Sequence, residues 1–285
     1  MTSDSHVVRI AAVGDLHCTK TAQGQFQPIF AQVAGRADVL LLCGDLTDFG
    51  HADEARVLVR ELIGVGVPVL AVLGNHDHES GKADEVTAVL DEAGITVLDG
   101  GMREVRGVAF VGVKGFGGGF GRRMLEPWGE PTLKAFVQES VDETMKLEKA
   151  LSRVRGMPRV VLMHYAPIRD TVDSEHAEIL PFLGSSRLEE PLNRFRVSMA
   201  FHGHAHRGST DGATSTGVPV YNVAMPLLRR TFRADPPFRV VELNVEERSQ
   251  GLGHEQEAQG DESATIGRIV GRAGVDVAEA AVETR

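Results

Sequence analysis

The sequence is poor in cysteine and tryptophan and has no long uninterrupted hydrophobic run. Its 285 residues include two cysteines, Cys18 and Cys43, and one tryptophan. Two cysteines are too few for a disulfide framework in a chain of this length. No apolar run reaches membrane-spanning length, and the first residues lack the charged and apolar regions of a signal peptide. We therefore expect a soluble protein of the cytoplasm with no membrane partner.

An excess of positive charge is also missing. The 30 Lys and Arg residues are outnumbered by 40 Asp and Glu residues, so the formal net charge is −10. This balance argues against a nucleic-acid polymer or an anionic membrane surface as the main partner. If the substrate is anionic, the positive charge that attracts it must be local, and bound metal ions are one source of such charge.

Strands and helices alternate along the first hundred residues. The apolar pattern predicts strands at 7–13, 39–43, 67–73 and 95–98 and helices at 26–34, 53–63 and 85–93. Strands joined by helices of this length are typical of βαβ units with a mostly parallel sheet. The second half predicts a helix at 131–154 and strands at 108–113, 160–163, 197–201, 218–223 and 239–245. These strands favour a second sheet packed on the first.

The composition changes near the C-terminus. We predict one domain over residues 1–248, which is ample length for a single α/β core. Residues 249–285 begin with a polar, glycine-containing stretch and are predicted to be a flexible linker followed by an appendage.

Each of the first three strands ends in glycine followed by an oxygen-bearing side chain. Asp15, Asp45 and Asn75 follow these glycines at intervals of 30 residues. One βαβ step takes about 30 residues, so the three side chains should lie side by side at the carboxyl edge of a parallel sheet. Open α/β sheets bind their ligands at this edge. Taken singly, Asp15 or Asp45 could be a helix N-cap and Asn75 a turn residue.

Four histidines extend this set. Asp15 and His17 are two residues apart, as are His204 and His206, and residues at this spacing point the same way in an extended segment. His164 follows another predicted strand, although a lone histidine there is more often a satisfied core residue. A mixed nitrogen and oxygen set suits Mn, Fe, Zn, Co or Ni better than Ca or Mg. Seven ligands are too many for one such ion and sufficient for two that share a carboxylate.

The order of these blocks resembles the calcineurin-like metallophosphoesterases. The matching stretches are "GDLH", "GDLTD", "GNHD", "MH" and "GHAH", beginning at residues 14, 44, 74, 163 and 203. The resemblance implies an α/β fold, a four-layer α/β/β/α sandwich of two mixed sheets, with a site for two transition-metal ions such as Mn²⁺, Fe²⁺/Fe³⁺ or Zn²⁺. It implies ligands to the first ion at Asp15, His17 and His206, ligands to the second at Asn75, His164 and His204, and a bridging carboxylate at Asp45.

Two positions depart from the protein Ser/Thr phosphatases of that family. Phe49 stands where those enzymes carry an arginine, and Asp77 where they carry glutamate. The chain looks more like the bacterial phosphodiesterase and small-molecule phosphoesterase branch. Asp77 is expected to brace its loop through hydrogen bonds.

The same resemblance makes His76 a non-ligand histidine that protonates the leaving alkoxide. We expect in-line attack of hydroxide on phosphorus without a covalent enzyme intermediate. Asp48 could orient His76 by accepting its other ring N–H, or it could be a turn or helix N-cap residue. The two interpretations of Asp48 carry equal weight.

The leading hypothesis is a metal-dependent hydrolase of a small phosphate ester, with a phosphodiester favoured. A phosphomonoesterase on the same metal core is the alternative, and a non-catalytic scaffold is a further one. The glycine-rich stretch 115–121 with Arg122 and Arg123 could contact phosphate, although a surface loop is favoured. Tyr165 could line the pocket or pack beneath it, and His51 and His78 have no assigned role.

Overall fold

The computed structural model describes residues 5–233 and 236–246. One sheet contains the first four strands of the chain and the last one, in the spatial order β11-β1-β2-β3-β4. The strands are β1 (Ser5–Val13), β2 (Val39–Cys43), β3 (Val69–Val72), β4 (Thr96–Val97) and β11 (Arg239–Glu246). The strands β1 to β4 pair in parallel, and β11 is antiparallel to β1.

The second sheet has the order β5-β6-β7-β8-β10-β9. Its strands are β5 (Gly101–Val105), β6 (Val108–Gly112), β7 (Arg159–Leu162), β8 (Met199–His202), β9 (Asp211–Ala213) and β10 (Pro219–Asn222). The four inner strands are parallel, and the two edge strands are antiparallel to their neighbours. Both sheets are therefore mixed, as predicted.

Seven α-helices lie within the described residues. They are α1 (Gln27–Phe30), α2 (Ala52–Glu61), α3 (Ala83–Glu92), α4 (Pro131–Arg153), α5 (Leu180–Leu183), α6 (Glu189–Arg194) and α7 (Met225–Thr231). Short 3₁₀ turns occur at His76–His78, Gly121–Arg123, Ala177–Ile179 and Ser186–Leu188. None of the helices in this part of the chain is long and apolar enough to cross a bilayer.

Side-chain alternation along the strands divides the core into layers. In β2, Leu41 packs between the two sheets, whereas Leu40 and Leu42 pack on the outer face with residues of α1, α2 and α3. In β6, Phe110 points into the space between the sheets and Val111 points outward toward α4. Successive strand residues face opposite sides of a sheet. Since the residues on each side are packed against a neighbouring layer, both faces of each sheet are covered. The predicted four-layer α/β/β/α sandwich is confirmed.

The sequence prediction was wrong or incomplete at several elements. The helix predicted at 26–34 is regular only over Gln27–Phe30, because the following N–H groups bond three residues back and form turns instead. Strands β5 and β9 and helix α7 were not predicted. The predicted appendage at 249–285 lies outside the described residues.

Glu61, at the end of α2, fixes the loop that follows β1. Its carboxylate accepts the backbone N–H groups of Gly24, Phe26 and Gln27 at 2.6, 2.8 and 3.0 Å. Burial by itself would raise the pKa of Glu61, but these donors outweigh it and hold the pKa below the usual 4.5. The ionised carboxylate therefore stabilises the folded state.

Glu61→Gln should lower the free energy of unfolding by about 1–3 kcal/mol at neutral pH, because the variant cannot offer two charged oxygens to three donors. The stabilisation by Glu61 is present above the unfolded pKa and is lost as pH falls through the lower folded pKa. Urea unfolding should show the two proteins converging below about pH 4.5. Glu92→Gln, on the exposed end of α3, is the control. A constant difference in the free energy of unfolding between the wild type and Glu61→Gln from pH 7 to pH 3 would contradict this prediction.

Candidate metal centre

Polar side chains from both sheets meet at the carboxyl edges of the parallel strands. Asp15 and Asp45 lie just beyond the ends of β1 and β2, which are neighbours in the first sheet. His164 and His204 each lie two residues beyond β7 and β8, which are neighbours in the second sheet. His164 Nε2 lies 3.4 Å from Asp45 Oδ1, so the two sheet edges are in contact.

The structure brings eight of the nine predicted site residues into one cluster, and the ninth, Asp48, contacts it through His17. Three overlapping groups of carboxylate and imidazole atoms are close enough to hold metal ions: Asp15, His17 and His206; His17, Asp45 and His76; and Asp45, His164 and His204. Asn75 joins the last group through an Oδ1 atom 2.9 Å from His164 Nε2. We call these eight residues the His–Asp cluster.

The backbone of the cluster is strained. Asp15, His17, Asp45 and His204 have φ values of 57°, 45°, 48° and 69°, in the left-handed region that non-glycine residues rarely adopt. Among the described residues, only two other non-glycine residues have positive φ. Such strain costs about 1–3 kcal/mol per residue and is typical of functional sites.

Glycines in the motifs permit close approach of the cluster residues. A Cβ atom on Gly44 would overlap the ring of His164, and one on Gly74 would overlap the carboxylate of Asp45. A Cβ on Gly203 would overlap the carboxylate of Asp15. Each of these glycines therefore makes room for a side chain that arrives from a different strand.

His164 has the tautomer of a metal ligand. It is fully buried, and its Nδ1 lies 3.0 Å from the carbonyl oxygen of Cys43, which can only accept a hydrogen bond. The proton is therefore on Nδ1, and Nε2 offers a lone pair toward the oxygens of Asn75 and Asp45. Nε2 and these two oxygens converge on one point, an arrangement that fits a cation.

His17, like His164, has one ring nitrogen directed into the cluster. Its Nδ1 lies 3.3 Å from Asp48 Oδ1, whereas its Nε2 is buried and has no hydrogen-bond partner. Nε2 lies 3.8 Å from Asp45 Oδ2. Asp48 thus holds the His17 ring with a nitrogen lone pair directed into the cluster, so its carboxylate does not orient His76 as predicted. It is also not the N-cap of α2, which is His51.

His204 and Asp15 have strongly shifted pKa values. Burial, followed by repulsion from His164, lowers the pKa of His204 to about 3, and its Nε2–H donates to the carbonyl of Phe182 at 3.1 Å. Burial alone would raise the pKa of Asp15, but a hydrogen bond from His206 and the charges of neighbouring imidazoles lower it to about 2. The neutral imidazole and the ionised carboxylate are the states that bind a metal ion.

His76 is held by the main chain of the loop after β2. Its Nδ1 lies 2.8 Å from the carbonyl oxygen of Asp48, and its backbone N–H donates to Asp45 Oδ1 at 2.8 Å. Burial would lower the pKa of His76, but this carbonyl and the nearby carboxylates raise it. The ring lies edge-on to His17, with centroids 4.5 Å apart.

Asp77 joins the loops that carry Asp45 and Asn75. Its fully buried carboxylate accepts the N–H groups of Leu46, Thr47 and Gly74 at 3.1, 2.8 and 2.8 Å, and the hydroxyl of Thr47 at 2.6 Å. The bracing role expected from the sequence is present. The bonds show that Asp77 spans two strands rather than stiffening its own loop alone.

Two positioning residues were missed in the sequence. His202 is fully buried and bonds Thr171 Oγ1 at 2.8 Å through Nε2, and burial lowers its pKa to about 4. Asn222 donates to the carbonyl of Ala205 at 2.8 Å, between His204 and His206. The extra histidine in "FHGHAH" could have indicated His202. No sequence pattern indicates Asn222, because only the fold brings it near the cluster.

The glycine-rich stretch does not form a phosphate cradle. The N–H groups of Gly115, Gly118 and Gly119 already donate to Glu143, Pro181 and Gly184, at 2.8, 2.6 and 2.8 Å. Arg122 and Arg123 are exposed on the turn that follows. Tyr165 packs beneath the cluster with 7% of its surface exposed, and its ring centroid lies 4.6 Å from that of His204.

The fold and this cluster define a metallophosphoesterase, and comparison with known proteins gives the family. The model of the calcineurin-like phosphoesterases matches residues 8–208. The chain therefore belongs to the calcineurin-like phosphoesterase family.

Several relatives share this architecture. The chain is 23% identical to a probable glycerophosphodiester phosphodiesterase, GpdQ, of Arcobacter nitrofigilis, over 76% of each protein. The phosphopantetheinyl hydrolase PptH of Mycobacterium tuberculosis superposes with a TM-score of 0.60 and 18% identity, over 81% of this chain and 95% of that one. GAP50, described as the anchor in the inner membrane complex of Plasmodium, gives 0.51 and 12% identity over 77% and 72%.

Gly74→Ala should weaken Mn²⁺ binding about 10- to 100-fold, because the new methyl group displaces the Asp45 carboxylate. Isothermal titration calorimetry with Mn²⁺ measures the affinity, and circular dichroism checks the fold. Gly101→Ala is the matched control, since its Cβ would only touch Leu98 at 3.7 Å. Equal Mn²⁺ affinity in a folded Gly74→Ala protein would show that the close packing is irrelevant to metal binding.

Proposed function

We propose that this protein hydrolyses a small phosphodiester with the help of two transition-metal ions held in the His–Asp cluster. The observation that carries the proposal is the convergence of His17 Nε2, which is buried without a hydrogen-bond partner, with His164 Nε2, the Asn75 oxygen and the Asp45 carboxylate. Such a mixed nitrogen and oxygen set suits transition-metal ions.

The residues divide naturally into two sets. Asp15, His17 and His206 would hold one ion, and Asn75, His164 and His204 the other. Asp45 lies within reach of both sets, 3.8 Å from His17 and 3.4 Å from His164, and would be shared. Two bound ions would supply Lewis acidity toward the phosphate and lower the pKa of water.

His76 would supply the proton to the departing alkoxide. Its Nδ1–H is engaged by the Asp48 carbonyl, so Nε2 is the atom from which a proton can leave. Its raised pKa favours the protonated ring near neutral pH, which a general acid requires. Asp48 contributes twice, with its carbonyl holding His76 and its carboxylate holding His17.

Two alternatives share the same cluster. A phosphomonoesterase would use the same residues, but the name of the GpdQ relative favours a diester. The alternative of a non-catalytic role is supported only by a protein of similar fold, GAP50, which is described as an anchor. The complete donor set and the raised pKa of His76 favour catalysis here.

A Mn²⁺-replete activity panel tests the proposed function. It sets bis-p-nitrophenyl phosphate against p-nitrophenyl phosphate and the 2′,3′- and 3′,5′-cyclic nucleotides. We expect faster turnover of diesters than of the monoester. Faster turnover of the monoester would favour the phosphatase, and no turnover of any ester with Mn²⁺ bound would favour the scaffold.

His76→Gln should retain its metal ions and lose about 10²- to 10⁴-fold in kcat, because general acid catalysis contributes by this amount. The loss should be smaller for p-nitrophenyl esters, whose leaving group needs little protonation, than for alkyl esters. Metal content is measured by plasma mass spectrometry beside the kinetics. His76 also lies within reach of His17 and Asp45. If the His76→Gln variant loses one ion, His76 is a metal ligand and not the general acid.

A further inference from the structure

An exposed aromatic residue is held against the loops of the His–Asp cluster. Phe182, in the short helix α5, is 56% exposed, although phenylalanine is usually buried. The next residue, Leu183, is buried and packs in a small apolar cluster with Ala166 and Ala205. The carbonyl of Leu183 also accepts the N–H of Ala166 at 3.0 Å. Helix α5 is therefore tied to the two loops that carry the candidate metal ligands of the second sheet.

Phe182 itself contacts one of these ligands. Its carbonyl oxygen accepts the Nε2–H of His204 at 3.1 Å, which leaves Nδ1 as the ring nitrogen that can bind a metal ion. The contact uses only the main chain of Phe182, so its side chain is not needed to orient His204. The phenyl ring thus lies one residue's length from a candidate metal ligand without a structural task at that ligand.

Four aromatic rings form a row that extends from His204 to Phe182. The Tyr165 ring lies 4.6 Å from that of His204, and Phe116 lies 5.6 Å from Tyr165. Phe136 lies 4.9 Å from Phe116 and 5.8 Å from Phe182, within the range of about 4.5–7 Å that is typical of packed aromatic pairs. Exposure rises from 7% at Tyr165, through two half-buried rings, to 56% at Phe182. We call these four residues the aromatic row.

The exposed end of the aromatic row suits an apolar group. The rings of Phe136 and Phe182 carry no hydrogen-bonding atom, so a charged or strongly hydrated group would lose contacts with water there and gain none. An apolar group would instead remove its own surface and that of the two rings from water. The amine of Lys114 lies over Phe116 and Tyr165, at the buried end of the row.

The position of the row indicates which part of a phosphodiester would reach it. His76, the proposed acid for the leaving alkoxide, groups with His17 and Asp45, whereas His204 groups with Asp45 and His164. A phosphate beside the shared Asp45 would therefore have its leaving group on the His76 side. The ester arm that stays on phosphorus would be on the side of His204 and Phe182.

We propose that Phe182, supported by Phe136, binds the ester arm that remains on phosphorus, and that this arm is apolar. This inference rests on the proposed phosphodiesterase function. It makes Phe182 a specificity-determining residue that takes no part in the chemical step.

Matched p-nitrophenyl diesters test the inference, because they share a leaving group and differ in the retained arm: methyl, hexyl or phenyl. With Mn²⁺ bound, Phe182→Ala should lower the ratio of kcat/KM for the hexyl or phenyl ester to that for the methyl ester by about tenfold. A larger fall for the phenyl ester indicates a ring as the natural arm, and a larger fall for the hexyl ester indicates a chain. Phe232→Ala, an exposed phenylalanine beside Arg36 and Phe238, is the control and should keep the wild-type ratios.

Two further measurements separate substrate binding from other roles of Phe182. Phe182→Leu, which keeps an apolar side chain, should retain more of the hexyl preference than Phe182→Ala. Calorimetry should give the same Mn²⁺ affinity for Phe182→Ala as for the wild type, because the carbonyl that holds His204 is unchanged.

Three results would overturn the inference. They are wild-type ratios in Phe182→Ala, loss of Mn²⁺ affinity in that variant, and a wild-type dimer in sedimentation that Phe182→Ala dissociates, which would assign the ring to a second copy of the chain. Each of these results leaves the phosphodiesterase function intact, since the wild type still hydrolyses the diesters. If the Mn²⁺-loaded wild type hydrolyses none of the three esters or bis-p-nitrophenyl phosphate, the proposed function fails and the inference fails with it.

Discussion

Two buried carboxylates at the meeting edge of the sheets are the constraint on which the site depends. Asp15 and Asp45 are each 2% exposed, and a buried charge is costly unless it is compensated. Their oxygens receive backbone N–H groups from His204 and His76, on segments that follow other strands. Each carboxylate thus ties its own loop to another, which involves four loops in all, and negative charge remains at this edge.

The surrounding structure holds these groups in place at a cost. Left-handed backbone at four cluster residues is unfavourable for local stability. Asp77 and the His202–Thr171 pair offset part of that cost with buried hydrogen bonds. These contacts fix the orientation of the cluster side chains, and fixed donors are a general requirement for an efficient catalytic site.

Much of the fold and cluster could be predicted because the signals are local and periodic. Buried strands ending in Gly-Asp or Gly-Asn at equal intervals specify adjacent parallel strands, and the structure places Asp15, Asp45 and Asn75 accordingly. The i, i+2 pairs predicted that His17 and His206 would join their neighbours in the cluster, but the extended backbone assumed for these pairs is wrong, because Asp15, His17 and His204 have positive φ. Asp77 was placed correctly as a brace, although the strand that it reaches was not foreseen.

The failures concern interactions that depend on tertiary contacts. One of the two equal interpretations of Asp48 placed its carboxylate on His76, but that carboxylate reaches His17 and the carbonyl reaches His76 instead. The start of α1 is fixed by Glu61, which is 34 or more residues away, so no local pattern shows this contact. A residue such as Asn222 becomes notable only when distant strands bring it beside the cluster.

If the two sheet edges form one site for two metal ions, anomalous diffraction from crystals of the full chain equilibrated with Mn²⁺ should detect both. We expect two anomalous peaks about 3.5–4 Å apart, one beside His17 and His206, the other beside His164 and His204, with Asp45 between them. A single peak, or Mn²⁺ bound only outside the His–Asp cluster, would contradict it.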